Sequence, residues 1–200
     1  MRRNWTEPAC QGNHQDHRDM NRRHFCKIAN LAVLGGVLGL SRPAAALTSL
    51  QAEPSRSLSL FSIQTRERVD QVFWSQGRYL SSGLTRINHL LRDFRTNEVK
   101  DIDPELLQLL CRLADHLGTA PEYHVISGYR SEKTNAMLRK NSQNVARKSF
   151  HLLGQAVDIR MPGVALKDLH TAALDLKKGG VGYYPGPDFV HVDVGPTRAW

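Results

Sequence analysis

The sequence predicts an α+β fold: a small antiparallel β-sheet with helices packed against it. Three observations carry that expectation. Short stretches of alternating apolar and polar residues are interleaved with stretches of 3.6-residue apolar period. In the last third, "VGYY" and "FVHVDVG" are joined only by the turn "PGPD". No internal repeat or low-complexity segment breaks the order.

Taken in chain order, "SLSLFSIQT" alternates through Leu58, Leu60 and Ile63 and reads as a first strand. "ERVDQVFWSQGRYL" reads as its partner, reached through a turn near Arg66. "LTRINHLLRDFR" places apolar residues at 84, 87, 90, 91 and 94, a helical stripe. "DPELLQLLCRLADHLG" has full helix punctuation: Asp103 as cap, Pro104 in the first turn and Gly118 at the end. Cys111 falls on the apolar face of that helix and reads as a core thiol. "EYHVISGYR" is a strand running into a glycine turn, and "SEKTNAMLRKN" a short helix capped by Ser131. After a polar loop from Ser142 to Ser149, "GQAVDIRM" is a strand and "ALKDLHTAALDLKKGG" a helix closed by Gly179.

The first 46 residues do not look like part of this domain. "MNRRHFCKIANLAVLGGVLGLSRPAAA" combines a basic front, an apolar run from Ile28 to Leu40 and small residues Ala44 to Ala46. That is the layout of an export signal, with cleavage expected after Ala46. "RRHFCK", residues 22–27, resembles the twin-arginine motif, and Met20 directly before it reads as the true start. The apolar run falls short of the about 20 residues a bilayer span needs, so a membrane association would come only through an uncleaved signal. Residues 47–57 read as a linker and 58–200 as the domain. Removing the first 46 residues leaves 154, with 20 Lys+Arg against 16 Asp+Glu, a net charge of +4. The absence of an RGG run or a lysine-rich stripe argues against a nucleic-acid partner. Only Cys111 remains, so an intramolecular disulfide is excluded.

The chemistry concentrates near the C-terminus. Alternation in "QAVDIRM" turns Val157 and Ile159 one way and Asp158 the other. In "FVHVDVG", Val190, Val192 and Val194 share one face, and His191 and Asp193 share the opposite one. If the two strands are neighbours, Asp158, His191 and Asp193 converge. His151, seven residues before Asp158 across "LLG", can fold back over the same spot. Two imidazoles and one carboxylate suit a catalytic zinc ion with its fourth position open to water. By residue type alone, the same residues read equally well as ordinary strand and turn positions. His89, His116, His124 and His170 are read as surface or packing residues.

"SFHLLGQAVD" fits S-x-H-x-x-G-x-A-x-D, and "ISGYRS" supplies an upstream S-G-Y-R element. With "VARKSFHLLGQAVDIRMPG" and "GGVGYYPGPDFVHVDVGPTRAW", the chain resembles zinc peptidases of the lysostaphin, D-Ala-D-Ala and hedgehog-type metallopeptidase clan. Within that clan it is most similar to the YcbK-type murein endopeptidases, over most of residues 58–200. The resemblance implies one zinc ion held by His151, Asp158 and His191. It implies that Arg130 binds a substrate carboxylate or steadies an oxyanion, against a plain reading of Arg130 as a structural ion pair. Peptidoglycan stem peptides and cross-links are the implied partners and the periplasm the implied location. A non-catalytic wall-binding protein, or a D,D- or L,D-carboxypeptidase, would use the same fold. The relatives place a glutamate three residues before the last zinc histidine; here that position is Asp188. Asp193 competes with it as general base, the preferred assignment being Asp188 as base and Asp193 as the carboxylate orienting a ligand. Ser127 and Ser149 read as turn or supporting residues. Of Tyr183 and Tyr184, one is expected to line the groove and the other to pack.

Overall fold

A computed structural model of the chain describes residues 55–119, 122–141 and 146–200. The segment read as an export signal, the expected cleavage after Ala46, the expected start at Met20 and the linker reading up to residue 54 lie outside the described residues. Eight strands form one sheet: β1 (Ser55–Ser62), β2 (Arg68–Ser75), β3 (Arg78–Tyr79), β4 (Glu122–Ser127), β5 (Ala156–Arg160), β6 (Gly180–Tyr184), β7 (Phe189–Asp193) and β8 (Arg198–Ala199). Four helices accompany it: α1 (Ser81–Leu90), α2 (Pro104–His116), α3 (Glu132–Asn141) and α4 (Leu166–Asp175). A 3₁₀ turn covers Phe150–Leu153.

The α+β expectation holds, with two refinements. The strand order is β3-β2-β1-β4-β5-β7-β6-β8, a broader sheet than the alternation alone outlined. Most neighbours are antiparallel, but β1 pairs with β4 and β6 with β8 in parallel. Strand β1 begins at Ser55, so Ser55–Ser57, expected as linker, belong to the sheet.

Local chemistry accounts for the helix boundaries. The Asp103 carboxylate accepts the Glu105 N–H at the start of α2, and Pro104 occupies the first turn. Ser131 Oγ accepts the Thr134 N–H at 3.2 Å, capping α3. The stripe of α2 buries Leu106, Leu107, Leu109, Leu110, Cys111 and Leu113. These meet Leu58 and Leu60 of β1, Val157 and Ile159 of β5, Val190 and Val192 of β7, and Leu169 of α4 in one hydrophobic cluster. Tyr123 of β4 crosses the cluster and donates its hydroxyl to Leu110 O at 2.7 Å. Cys111 is in this core as expected, and burial pushes its thiol up to about 11. Leu110 is fully buried, so Leu110→Ala is expected to cost about 2–5 kcal/mol. A urea melt reads that directly as a lowered midpoint.

The core therefore lies on one side of β5 and β7, and their polar residues emerge on the other. A buttress fixes the loops on that second side. Asp93, buried in the loop after α1, accepts the Ser131 N–H at 2.8 Å and the Arg95 N–H at 2.9 Å. It thereby ties that loop to the start of α3, next to Arg130. Burial opposes ionisation of Asp93, but the neighbouring Thr134 and Ser131 hydroxyls and the Ser131 and Arg95 backbone amides outweigh it and lower the carboxyl to about 2. A depressed folded pKa gives stability that is fully present above the unfolded value of about 3.9 and is lost as pH falls through the folded one. Asp93→Asn is therefore expected to lower stability at neutral pH by about 1.5–3 kcal/mol. The gap between wild type and variant should narrow from about pH 4 downward. Denaturation curves at stepped pH check both statements.

A three-donor cluster at the floor of a groove

The sheet brings the predicted residues together by register. Asp158 of β5 lies directly opposite His191 of β7. A bulge in β4 sets Ser127 opposite Asp158 and turns the chain into Gly128–Arg130. His151 arrives on the 3₁₀ turn, whose start Ser149 caps and whose end Gly154 closes at φ 70°. A side chain at Gly154 would also run into Asp101 O, which explains the glycine of the motif. Arg130 N–H donates to His151 O at 3.1 Å, locking the two loops together.

Three electron-pair donors converge. His151 Nε2 is 3.1 Å from His191 Nδ1; Asp158 Oδ1 is 2.9 Å from His191 Nδ1 and 3.2 Å from His151 Nε2. All three residues are buried. The outer nitrogens have their own partners: His151 Nδ1 donates to Gly128 O at 2.7 Å, and His191 Nε2 to Asp193 Oδ2 at 3.0 Å. With the outer nitrogens protonated, the two neutral rings turn lone pairs toward each other and toward a carboxylate. Such a set repels itself unless a cation or a proton sits among the three. Donors on a tetrahedral zinc with bonds of about 2.0–2.1 Å stand about 3.3 Å apart, close to the spacings seen here. The donor set and its geometry fit that ion, and among the described residues no other group of His, Cys, Asp and Glu converges in this way.

Electrostatics keep His151 and Asp158 in the states a metal ion requires. Burial pushes His151 down, toward the neutral ring. Burial also opposes ionisation of Asp158, but His151, His191 and the Arg130 guanidinium outweigh it and hold the carboxyl well below its ordinary range. At His191 burial acts downward, and the hydrogen bonds to Asp158 and Asp193 overcome it, so the ring is pushed up. Arg130 donates from Nε to Ser127 Oγ at 2.8 Å and from Nη2 to Asp158 Oδ2. It is thus an ion-pair partner of Asp158 and a wall of the groove at once.

The groove above the cluster has a volume of about 560 Å³. Arg130, Lys148 and Arg198 give it positive charge, and Phe150, Tyr184, Phe189 and Trp200 give it aromatic surface. Tyr184 is the tyrosine that lines it; Tyr183 does not pack in the core as expected but is exposed, tilted against the His170 ring with centroids 4.7 Å apart. The two aspartates separate clearly. Asp193 is fully buried, and its oxygens take the Gly180 and Gly195 N–H groups, both ends of the Arg198 guanidinium and His191. Asp188 is exposed, in a left-handed conformation at φ 58°, and pairs with Arg160 Nη1 at 2.9 Å. Its neighbours Pro187 and Phe189 line the groove, whereas Asp188 itself borders a smaller adjoining cavity with Arg160 and His124. Of the other histidines, His116 lies 3.5 Å from Asp175 and His124 3.3 Å from Glu122, both away from the cluster. Arg198 and Trp200 were not singled out in the sequence; "TRAW" has no periodicity, and only its place on the sheet edge reveals them.

Comparison with known proteins places this geometry in context. The protein named peptidoglycan L,D-endopeptidase MepK in Escherichia coli strain K12 is 41% identical over 185 residues, covering 92% of this chain and 100% of that protein. A relative from Haemophilus influenzae is 39% identical over 184 residues, covering 91% of this chain and 96% of its own length. The crystal structure of Serratia marcescens L-Ala D-Glu endopeptidase ChiX covers 46% of this chain and 80% of its own, at 16% identity and a TM-score of 0.35, too distant to support an argument. The family model described as peptidoglycan L,D-endopeptidase MepK, Peptidase_M15_2, matches residues 50–200, and the chain belongs to that family.

Proposed function

We propose that the chain is an exported, zinc-dependent endopeptidase that hydrolyses peptide cross-links in bacterial peptidoglycan. The observation that carries this reading is the cluster of His151, Asp158 and His191, with both outer ring nitrogens held, at the floor of a cationic and aromatic groove. The relatives' shared name, an L,D-endopeptidase of peptidoglycan, supports the same substrate class. An L,D bond joins the carbonyl of an L-centre to the amine of a D-centre. A cross-link can run from D-Ala to diaminopimelate or between two diaminopimelates, and only the second has that configuration.

His151 Nε2, His191 Nδ1 and Asp158 Oδ1 would hold the ion. Zinc bound there supplies Lewis acidity and makes a water molecule more acidic, with a pKa of about 7. The rest of the chemistry falls to the chain. Gly128 O and Asp193 keep the outer protons on His151 and His191, so the inner nitrogens stay available. Arg130, beside Asp158, faces the groove where negative charge develops on the carbonyl oxygen, and its cation lowers that cost. Asp188, three residues before His191, is assigned the proton transfer; to accept a proton on its carboxylate it must leave Arg160 and turn into the groove that its neighbours Pro187 and Phe189 line. Asp193, with its oxygens engaged, orients His191 and is not assigned that role. The basic leader supports export to the periplasm by the twin-arginine route. Among the described residues, no helix is long and apolar enough to cross a membrane.

The test is incubation of zinc-loaded protein with purified sacculi and with muropeptides of each cross-link type, products being resolved by mass. Loss of diaminopimelate-to-diaminopimelate dimers is the expected result. Unchanged dimers of both types would sink the endopeptidase reading and leave a wall-binding protein. Release of single terminal residues alone would point to a carboxypeptidase.

A further inference from the structure

The C-terminal edge of the sheet is built around one carboxylate. Arg198, on the two-residue strand β8, directs Nη1 to Asp193 Oδ1 at 3.1 Å and Nη2 to Asp193 Oδ2. Asp193 in turn lies 3.0 Å from His191 Nε2. The Arg198 guanidinium carbon is 5.0 Å from the ring centroid of Phe150 and 5.0 Å from that of Trp200, so the cation is held between two aromatic rings. Trp200 is itself fixed by donating Nε1–H to Tyr184 Oη at 2.7 Å.

Three glycines make room for this arrangement, each for a different member. A β-carbon at Gly180 would lie 2.5 Å from Arg198 Nη1 and 2.6 Å from Asp193 Oδ2. One at Gly182 would lie 2.8 Å from the Trp200 ring, and one at Gly195 would run into the Phe150 ring. Space is therefore cleared at three points where the assembly meets β6 and the turn after β7. Asp193 is a fully buried anion, which is costly unless each oxygen is met. Two backbone amides meet part of that demand, and the paired N–H groups of Arg198 meet the rest while fixing the carboxylate plane.

From this we infer that Arg198 is a positioning residue for the metal site. Clamped by Phe150 and Trp200, it holds Asp193, and Asp193 sets the tautomer and ring angle of His191. The inference rests on the reading of His151, Asp158 and His191 as zinc ligands. Removing the clamp lets the carboxylate turn, frees His191 Nε2–H and misaligns Nδ1. Partners of this outer kind typically contribute about 10–100-fold to metal affinity.

Zinc affinity is measured by chelator competition on the full chain and its Arg198→Met and Arg198→Lys variants, with circular dichroism to verify folding. Arg198→Met is expected to weaken zinc binding about 10–100-fold, and Arg198→Lys, which keeps charge but not the two-pronged hold, to fall between it and wild type. Folded variants that bind zinc within about threefold of wild type overturn the inference while leaving the metal reading intact. A wild-type chain that binds no zinc overturns both. Nitrogen NMR of the wild-type chain adds a test free of any substitution: zinc-loaded His191 must carry its proton on Nε2, and a proton on Nδ1 overturns the inference.

Discussion

His151→Ala is expected to abolish zinc retention and cross-link hydrolysis together. The ring supplies one of three converging donors, and its Nδ1 is fixed to Gly128 O at 2.7 Å. Alanine removes both contacts, leaving two donors for an ion that prefers four-coordination. Loss of one protein ligand should weaken the site beyond the about 10–100-fold of outer partners. The variant should still fold, because the hydrophobic cluster lies on the opposite side of β5 and β7. Metal content after dialysis and turnover on cross-linked muropeptides are the two readouts. A variant that hydrolyses cross-links at the wild-type rate would remove the cluster from the mechanism.

The second large effect separates the two aspartates. Asp188→Asn should lower turnover by about 10²–10⁴-fold while zinc content is unchanged, the usual range for loss of a general base. Asp193→Asn should act differently. Asparagine offers one acceptor oxygen and one donor where Gly180 N, Gly195 N, Arg198 and His191 all require acceptors. Its first effect should be about 10–100-fold weaker zinc binding, with turnover falling through metal loss and returning in excess zinc. Equal activity in both variants would remove both residues as candidates for the proton transfer. An Asp193→Asn enzyme that stays zinc-loaded but inactive would reverse their assignment.

The face that carries the central donors was legible in the sequence for a definite reason, while their convergence rested on the motif resemblance. Alternation at Val157 and Ile159, and at Val190 and Val192, fixes which face is buried, and so fixes where Asp158 and His191 emerge. What alternation does not encode is the identity of a strand's neighbour. The parallel pairing of β1 with β4, and of β6 with β8, comes from tertiary packing and carries no local signal. Arg198 was missed for that reason: two residues of edge strand have no period to read. The preference for Asp188 over Asp193 as base rested on position in the motif, because residue spacing carries no information on burial. Their difference is between a fully buried carboxylate ringed by donors and an exposed one paired with Arg160. Gly128 O, which orients His151, was equally hidden, since a backbone carbonyl looks the same at every position.

The strand order has a thermodynamic consequence. The donors and their supports come from Gly128, His151, Asp158, His191, Asp193 and Arg198, and they meet only when β4, β5, β7, β6 and β8 lie side by side. An unfolded chain offers no such arrangement, so an ion that binds here binds the native state alone. Each tenfold rise in free zinc above its dissociation constant then adds about 1.4 kcal/mol to the unfolding free energy. With such an ion the sheet and the metal would form a linked equilibrium, and the folded population would track the free metal concentration.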